Sequence, residues 1–283
     1  MRFGIQVFMT DRSVPPGRLA REVGARGFDS LFTPEHTHIP SSRETPAPMG
    51  EPLPEQYWRS LDPFVALTAA ALAAPGLRVG TAISLVAQRD PIVTAKEVAT
   101  IDLVTGGRFV FGIGFGWNRE EMRDHGVDYR RRRDLVREKV LLMRRLWEDE
   151  EAAFDGEHLR LTPSKTWPKP VQRPLPVLIG GSPGPILFRH VAEYADGWMP
   201  IGGRGVAKAL PELRRALEAA GRDPDRIEIV PVGTIPEPPE KLERLRDLGV
   251  SECVLGLEYG LSNDETLRTL DRYAAIVAEF RAT

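Results

Sequence analysis

The stretch "RFVFGIGFGWNREE" (residues 108–121) places a glycine at every second position directly after an apolar run. A dinucleotide-binding turn requires the spacing G-x-G-x-x-G. Gly112 and Gly114 match its first two glycines, but Trp117 occupies the sixth position and Gly116 comes one residue early. No Gly-Lys-Ser/Thr follows, so the phosphate-loop pattern fails as well. We interpret the stretch as a strand that ends in glycines.

Glycine weakens a strand, and inside a strand it marks a place where a ligand or another part of the backbone comes close. Two interpretations of Gly112, Gly114 and Gly116 therefore stay open. At the end of a barrel strand they would leave a shallow floor for a flat ring. Alternatively, they only supply the small residues that layered packing and tight bends inside a barrel require.

Short apolar runs alternate with amphipathic segments along most of the chain. The runs lie at 2–8, 28–33, 77–86, 108–114, 176–181, 196–202, 227–233 and 251–258. Short strands of this kind are typical of parallel sheets that are buried on both faces. Eight β/α units predict an α/β fold, a closed (β/α)8 TIM barrel formed by one domain over residues 1–283. An open, doubly wound sheet is the alternative.

The intervening segments carry signals for the start of helices. Asp62 and Asp90, each followed by a proline, are typical N-cap residues. Asn118 with Glu121 fits a capping box, which predicts one long helix from there to residue 150. Further helices are predicted at 17–27, 185–195, 206–221, 238–249 and 264–282.

Two insertions interrupt the regular repeat. Residues 34–60 form a long, proline-rich connection after the second strand, and residues 154–176 precede the fifth. Long loops in a compact domain usually act as lids or binding loops, so we expect both to cover the mouth of the barrel. Tyr57 and Trp58 would exclude water and select the substrate there, or would simply pack beneath the loop.

The composition excludes several classes of partner. Lys+Arg number 38 and Asp+Glu 40, a net charge of −2 that provides no overall field for nucleic acid or an anionic membrane. No apolar run approaches the roughly 20 residues that span a bilayer, and the N-terminal apolar run is too short for a signal peptide. The single cysteine, Cys253, suits a reducing compartment. We therefore expect a soluble, cytoplasmic protein that acts on a small-molecule substrate.

One candidate binding motif follows the fifth predicted strand. Gly180, Gly181 and Ser182 connect that strand to a helix. Free backbone N–H groups and the helix dipole at such a turn suit a phosphate. An ordinary strand-to-helix turn is the alternative.

One candidate catalytic pair ends the second predicted strand. Glu35 and His36 lie where barrel enzymes place their chemistry, and His36 can donate a proton near neutral pH. A surface histidine is the alternative. His36 and His38 have no third ligand at a suitable spacing, so no metal site is expected.

Together these stretches resemble the bacterial luciferase-like monooxygenase superfamily, and most closely its deazaflavin-dependent oxidoreductases. The resemblance is carried by "RFGIQVF", "GFDSLFTPEHTHIP", "LRVGTAISLVAQRDPIVTAKEVATIDLVTGGRFVFGIGFGWNREEM" and "VLIGGSPGPILFRHVAEYADGWMP". It covers nearly the whole chain and implies a TIM barrel that binds coenzyme F420, or FMN in other branches, at the C-terminal mouth. It also implies a homodimer, in which the Ala-rich helix 64–74 could pack against a partner or, equally, against the barrel.

The resemblance assigns roles to the strand-two pair and to a bulge. Glu35 and His36 match an acid–histidine pair beside the cofactor ring, with His36 as proton donor or polariser of the substrate oxygen. Glu35 would orient His36 or contact the cofactor. Ala82 and Ile83 match a bulge, often with a non-proline cis peptide, that backs the deazaflavin.

The resemblance also assigns the glycine motifs to the cofactor. Gly114 and Gly116 would line the edge of the ring. Gly180, Gly181 and Ser182 would bind the phosphate of its side chain.

The chain departs from one branch of the family. Sugar-phosphate dehydrogenases of the family carry a glutamate just after the strand-four glycines, whereas this chain has Trp117 followed by Asn118, which puts that activity in doubt. Trp117 would instead provide an apolar wall, so we expect Trp58, Trp117 and Asn118 to line the substrate pocket. Glu120 and Glu121 are expected to act as helix caps and not as catalysts.

The expected reaction is hydride transfer between the deazaflavin and a carbonyl, imine or activated alkene. The alternatives are an FMN-dependent monooxygenase and a flavin-binding protein without turnover. The basic run at 129–139 is either a solvated helix face or a site at which Arg130 to Arg133 attract the polyglutamate tail of the deazaflavin.

Overall fold

The computed structural model describes residues 1–238 and 240–282. Its strands are β1 Arg2–Gln6, β2 Ser30–Thr33, β3 Arg78–Thr81, β4 Phe109–Ile113, β5 Ala152–Asp155, β6 Arg160–Ser164, β7 Val177–Gly180, β8 Gly197–Met199, β9 Glu228–Ile229 and β10 Glu252–Gly256. Its helices are α1 Pro16–Ala25, α2 Gln56–Arg59, α3 Pro63–Ala73, α4 Pro91–Thr105, α5 Arg119–Asp124, α6 Arg132–Glu148, α7 Pro185–Tyr194, α8 Val206–Ala219, α9 Glu240–Asp247 and α10 Asn263–Ala282.

Within these residues, eight strands form one parallel sheet in the order β10-β1-β2-β3-β4-β7-β8-β9. The two ends of the sheet meet because the residues that follow β9 bond to β10. The Thr234 N–H donates to the Val254 carbonyl at 3.1 Å, and the Gly256 N–H donates to the Thr234 carbonyl at 3.0 Å. The predicted (β/α)8 barrel is therefore confirmed, and the open sheet is excluded.

Short polar signals set the start of two helices on the outside of the barrel. The Asp62 side chain accepts a hydrogen bond from the Val65 N–H at 3.0 Å. The Asp90 side chain accepts from the N–H groups of Ile92 and Val93 at 2.9 Å. Each cap of this kind stabilises its helix by about 1 kcal/mol, so the two predicted starts are confirmed.

The long helix predicted from Asn118 to residue 150 is wrong, because two helices occupy this segment. α5 ends at Asp124, Gly126 adopts a left-handed φ of 73°, and α6 begins at Arg132. Glycine reaches this conformation without steric cost and readily follows a helix end. In the described ranges, no helix is long and apolar enough to cross a membrane.

The two insertions differ in structure. Residues 34–55 form a long connection that leads into the short helix α2. The second insertion begins earlier than predicted, as an antiparallel hairpin of β5 and β6. The helix predicted at 238–249 includes Pro239, which lies outside the described residues.

Side chains fill the interior of the barrel. The buried cluster inside the sheet consists of Phe32, Ala82, Val110, Leu178, Met199, Val230, Val232 and Val254. A larger apolar layer separates the strands from the surrounding helices. A ligand therefore has access to an end of the barrel and not to its centre, and the C-terminal end is where the predicted site residues lie.

Candidate active site

A buried histidine–carboxylate pair lies at the C-terminal end of β2. His36 is 8% exposed and Glu121 is 0% exposed. His36 Nδ1 lies 2.8 Å from Glu121 Oε2, and Glu121 Oε1 accepts from the Thr37 N–H at 3.1 Å. A buried carboxylate requires hydrogen-bond donors, so the ring proton of His36 is assigned to Nδ1. Within the described part of the chain, Nε2 has no hydrogen-bond partner and is available to a ligand.

The carboxylate that orients His36 is therefore Glu121 and not Glu35. Asn118 does cap α5, since its side chain accepts from the Glu121 N–H at 3.2 Å. The Glu121 carboxylate does not complete the predicted capping box, because it is turned toward β2. Glu121 and His36 are separated by 85 positions, so local spacing gave no signal for this pair.

The pair connects to polar groups at the surface through the Thr37 hydroxyl. Thr37 Oγ1 lies 3.4 Å from Glu121 Oε1 and 2.7 Å from His125 Nε2. It also lies 2.9 Å from His38 Nδ1, whose Nε2 is 3.1 Å from Asp124 Oδ2. Glu121 thus joins the buried imidazole to solvent-accessible polar groups.

Glu35 anchors the chain that follows β3. It is 3% exposed and accepts hydrogen bonds from Ser84 Oγ at 2.7 Å, the Leu85 N–H at 2.8 Å and Arg89 Nε at 2.6 Å. Burial alone would lower the pKa of Arg89, but its ion pairs with Glu35 and Asp62 together outweigh burial and the net shift is upward. Glu35 is therefore a positioning residue that ties the end of β2 to the segment after β3.

That segment begins with the predicted bulge. The Ala82–Ile83 peptide bond is cis, and the Gln6 side-chain amide donates to the Ala82 carbonyl at 2.7 Å. Ile83 lies against two glycines: a Cβ on Gly114 would be 2.5 Å from Ile83 Cδ1, and a Cβ on Gly180 would be 2.6 Å from Ile83 Cγ2. The two glycines thus make room for Ile83, which is half-buried and forms an apolar floor at the mouth.

Gly112 and Gly116 also lie against protein atoms. A Cβ on Gly112 would collide with the Thr81 carbonyl, and a Cβ on Gly116 would collide with Met122. The glycine run by itself therefore leaves no open floor, contrary to that prediction. The space is filled by the end of β3 at Gly112 and by Met122 of α5 at Gly116, and close packing accounts for these two glycines.

Aromatic side chains surround His36. Its ring centroid lies 5.1 Å from that of Tyr57 and 5.8 Å from that of Trp117. Phe8 packs on Tyr57 at 4.8 Å, and the hydroxyl groups of Tyr57 and Tyr259 are 3.4 Å apart. Burial raises the pKa of Tyr57, so its hydroxyl stays protonated. We call Phe8, Tyr57, Trp117 and Tyr259 the aromatic box.

Two of the three predicted pocket residues take other positions. Trp58 is 50% exposed and makes none of the ring contacts of the aromatic box. Its neighbour Tyr57 is buried instead, since adjacent residues of a helix point in different directions. Asn118 is buried and its side chain is used to cap α5. Trp117 is the predicted residue that lies beside His36.

The insertion over the mouth is fastened to α5, the helix whose Glu121 also holds His36. Glu120 is 2% exposed and accepts hydrogen bonds from the Thr45 N–H at 2.7 Å and from the Thr45 hydroxyl. Ala47 and Leu53, in the same insertion, pack with Tyr57. Glu120 of α5 therefore holds the covering insertion, and its neighbour Glu121 holds His36.

The glycine-rich turn after β7 has the predicted form. β7 ends at Gly180, and α7 begins at Pro185 after Gly184, which provides no side-chain cap. Ser182 is exposed. The first N–H groups of α7 lack a side-chain acceptor and so suit an anion such as phosphate. Among the described residues, no group of three or more potential ligands could hold a metal ion.

The fold and site define a class of protein. A family model described as luciferase-like monooxygenase matches residues 16–236. The chain belongs to this family of oxidoreductases and monooxygenases.

Individual relatives cover nearly the whole chain. The chain is 40% identical over 282 residues to the uncharacterized protein Rv0953c of Mycobacterium tuberculosis, covering 98% of this chain and 99% of the relative.

Three solved structures are also similar. Monooxygenase RslO1 from Streptomyces bottropensis has a TM-score of 0.80 at 21% identity and covers 99% of this chain and 100% of its own. The oxygenating constituent of 3,6-diketocamphane monooxygenase from Pseudomonas putida, in complex with FMN, has a TM-score of 0.74 at 16% identity, with coverages of 99% and 98%. An F420-dependent secondary alcohol dehydrogenase with an F420-acetone adduct has a TM-score of 0.72 at 19% identity, with coverages of 95% and 98%. At these identities the likeness shows a shared fold.

Proposed function

We propose that the protein is a coenzyme F420-dependent oxidoreductase that transfers a hydride between the deazaflavin and a small, apolar organic substrate. The observation that carries the proposal is the buried His36–Glu121 pair, in which Nε2 of His36 is unpartnered among the described residues and the imidazole packs against Tyr57 and Trp117 of the aromatic box. Such a pair manages one proton, which is the task that a two-electron carrier leaves to the protein.

The residues at the mouth fit a deazaflavin. Ile83 supplies an apolar floor, and Gln6 fixes the carbonyl of the bulge beneath it. Gly181, Ser182 and the first N–H groups of α7 would hold the phosphate of the cofactor side chain. The bound deazaflavin would supply or accept the hydride at its C5.

The chain's own residues would move the proton and exclude water. With Nδ1 held by Glu121, a charged His36 can donate its Nε2 proton to an alkoxide that forms on the substrate. In the opposite direction, neutral His36 can accept the proton of an alcohol at Nε2, and the Glu121 carboxylate stabilises the resulting imidazolium. Tyr57 and Trp117 would keep water away from the reacting atoms and favour an apolar substrate.

An FMN-dependent monooxygenase is the second candidate. The turn after β7 suits the phosphate of either cofactor, and the likeness to the FMN-containing structure is as close as that to the F420-containing one. A protein that holds a flavin without turnover is the third. It would bind cofactor but show no rate that depends on His36.

We also propose that the protein is a homodimer. On α3, Val65 is 73% and Leu72 is 63% exposed. On α4, Val93 is 56% and Leu103 is 49% exposed. Large apolar side chains gathered on one face typically mark a protein–protein contact, and a second copy would cover both helices.

The first test is a binding titration of the purified protein with coenzyme F420 and, separately, with FMN, followed by fluorescence quenching. Tight binding of F420 alone supports the proposal and justifies a screen of apolar carbonyls and enones. In that screen, His36→Asn should retain cofactor binding and lose turnover, whereas His158→Asn should behave as the wild type. Preference for FMN would move the protein to the oxygen-using branch, and binding of neither would contradict both assignments.

A further inference from the structure

Arginines at the start of α5 and α6 lack carboxylate partners. Within the described residues, Arg119, Arg130, Arg132 and Arg133 form no ion pair. Arg131, in the middle of the same run, is paired with a glutamate of the β5–β6 hairpin. The basic run is therefore not uniform, because an ion pair neutralises Arg131 whereas the neighbouring arginines have no carboxylate partner among the described residues.

Three of these guanidinium groups are held together on aromatic rings. Arg132 lies 3.6 Å and Arg119 lies 4.9 Å from the centroid of the Tyr129 ring. Arg133 lies 5.7 Å from the centroid of Phe115. Arg132 donates to the Tyr129 carbonyl at 2.7 Å, but its Nε is buried without a hydrogen-bond partner. We call Arg119, Arg132 and Arg133 the arginine cluster.

The cluster is an electrostatically costly arrangement without an anion. Burial is the largest effect on the pKa of Arg132 and lowers it; Tyr129 raises it, the charges of Arg133 and Arg119 lower it further, and no carboxylate offsets the net downward shift. Asp128 and Asp134 flank the run in sequence, but neither pairs with the cluster among the described residues. Positive groups that are gathered and left unpaired favour a bound anion.

The cluster lies beside the proposed cofactor site. Phe115 directly follows Gly114 at the end of β4, and its ring centroid lies 5.0 Å from that of His190 in α7. His190 is five positions beyond Pro185, the first residue of α7, or roughly 7–8 Å along the helix axis. A chain that leaves the turn after β7 along this side of the mouth therefore passes Phe115 and reaches the arginines.

We propose that the arginine cluster binds the glutamate chain of the deazaflavin, beyond the phosphate. This inference rests on the proposed function. Guanidinium forks match phosphate and carboxylate oxygens, and three of them can bind successive anionic groups of one chain. FMN ends at its phosphate and has no glutamate chain. The cluster would therefore increase the affinity for F420 but not the affinity for FMN.

The test compares four ligands by fluorescence titration at low and high salt. They are F420 with its glutamate tail, the form that carries the phosphate but no glutamates, the deazaflavin without phosphate or tail, and FMN. The test variant is Arg132→Gln combined with Arg133→Gln, and Arg131→Gln is the matched control from the same run. The double substitution to lysine keeps the charge and checks that any loss does not arise from altered packing on Tyr129.

The glutamine variant should bind tailed F420 at least about tenfold more weakly than the wild type, from the loss of charged hydrogen bonds. The control should stay within about threefold, the lysine variant should lose less affinity than the glutamine variant, and high salt should reduce the wild-type advantage. A loss of the same size with the phosphate form would contradict the inference, because that form carries no glutamates. A loss confined to the tailed form would support it.

Two further results would overturn the inference. If the wild type binds the phosphate form as tightly as tailed F420, or if the glutamine variant loses no more than Arg131→Gln, the cluster does not bind the tail. F420 dependence would then still stand, because the ring itself binds. If no deazaflavin binds to the wild type, the proposed function fails together with the inference.

Discussion

The substitution Glu121→Gln changes one atom of the buried pair at His36 and preserves its shape. The Thr37 N–H is a fixed donor that lies 3.1 Å from Oε1, so the amide oxygen of glutamine must take that position. The amide NH2 then lies at His36 Nδ1, 2.8 Å away in the wild type. Two donors cannot share that contact, so the ring proton of His36 must move to Nε2.

The loss should be large because both atoms are buried. A hydrogen bond to a charged partner contributes about 1.5–3 kcal/mol, and 1.36 kcal/mol corresponds to a factor of ten in rate. We therefore expect turnover of any substrate found by screening to fall by about 10- to 100-fold, and by more if His36 acts as an imidazolium. Cofactor binding should be unchanged, since Glu121 does not contact the floor or the turn after β7.

Nitrogen-15 NMR of histidine-labelled protein tests this without a substrate. The chain has five histidines, and the His36→Asn spectrum assigns the signal of interest. The wild type should show the Nδ1–H tautomer and Glu121→Gln the Nε2–H tautomer, with Asp124→Asn on the same helix as the control. If the glutamine variant keeps the Nδ1–H form and its rate stays within about threefold of the wild type, Glu121 does not orient His36.

Three further outcomes are expected. Gly114→Ala should displace Ile83, destabilise the protein by about 1–3 kcal/mol and weaken F420 binding; an unchanged dissociation constant would show that Ile83 is not the floor. Burial lowers the pKa of Lys139 from 10.5 to about 8, so at pH values between these two the lysine binds more protons in the unfolded protein than in the folded protein. The stability of the wild type relative to Lys139→Met in urea should therefore rise by about 1 kcal/mol from pH 7 to pH 9, and a flat difference would contradict this. Leu72→Glu should convert a homodimer into monomers in sedimentation velocity, whereas a wild type that sediments as a monomer would refute the proposed contact.

The fold was predictable because its signals are local. Each barrel strand is a short apolar run, and two helix starts are set by an aspartate that precedes a proline. Strand ends were less predictable: the run 77–86 was predicted as one strand, but β3 stops at Thr81 and the residues beyond it turn into the bulge. Hydrophobicity does not distinguish a strand from a buried loop that continues it.

The candidate site was predictable only in part, because its contacts are distant in sequence. His36 was found from its position at the end of a strand. Glu121 was missed because it also fits a local capping pattern, which explained it before any distant partner was considered. Trp58 was predicted in the pocket in place of Tyr57 because the sequence does not show which side of α2 is buried. The buried side depends on how the insertion folds back over the mouth.

The glycines at the end of β4 contribute to the site by allowing two other segments to come close. Close packing at Gly114 and Gly116 lets the β3 bulge and Met122 of α5 approach the end of β4. α5 has six residues, and it is not one of the long helices that cover the barrel. Its first turn holds His36 through Glu121 and the covering insertion through Glu120. A change that shifts α5 should therefore alter proton transfer and access to the mouth together, whereas a change in an outer helix away from the arginine cluster, the start of α7 and the proposed dimer contact should alter stability alone.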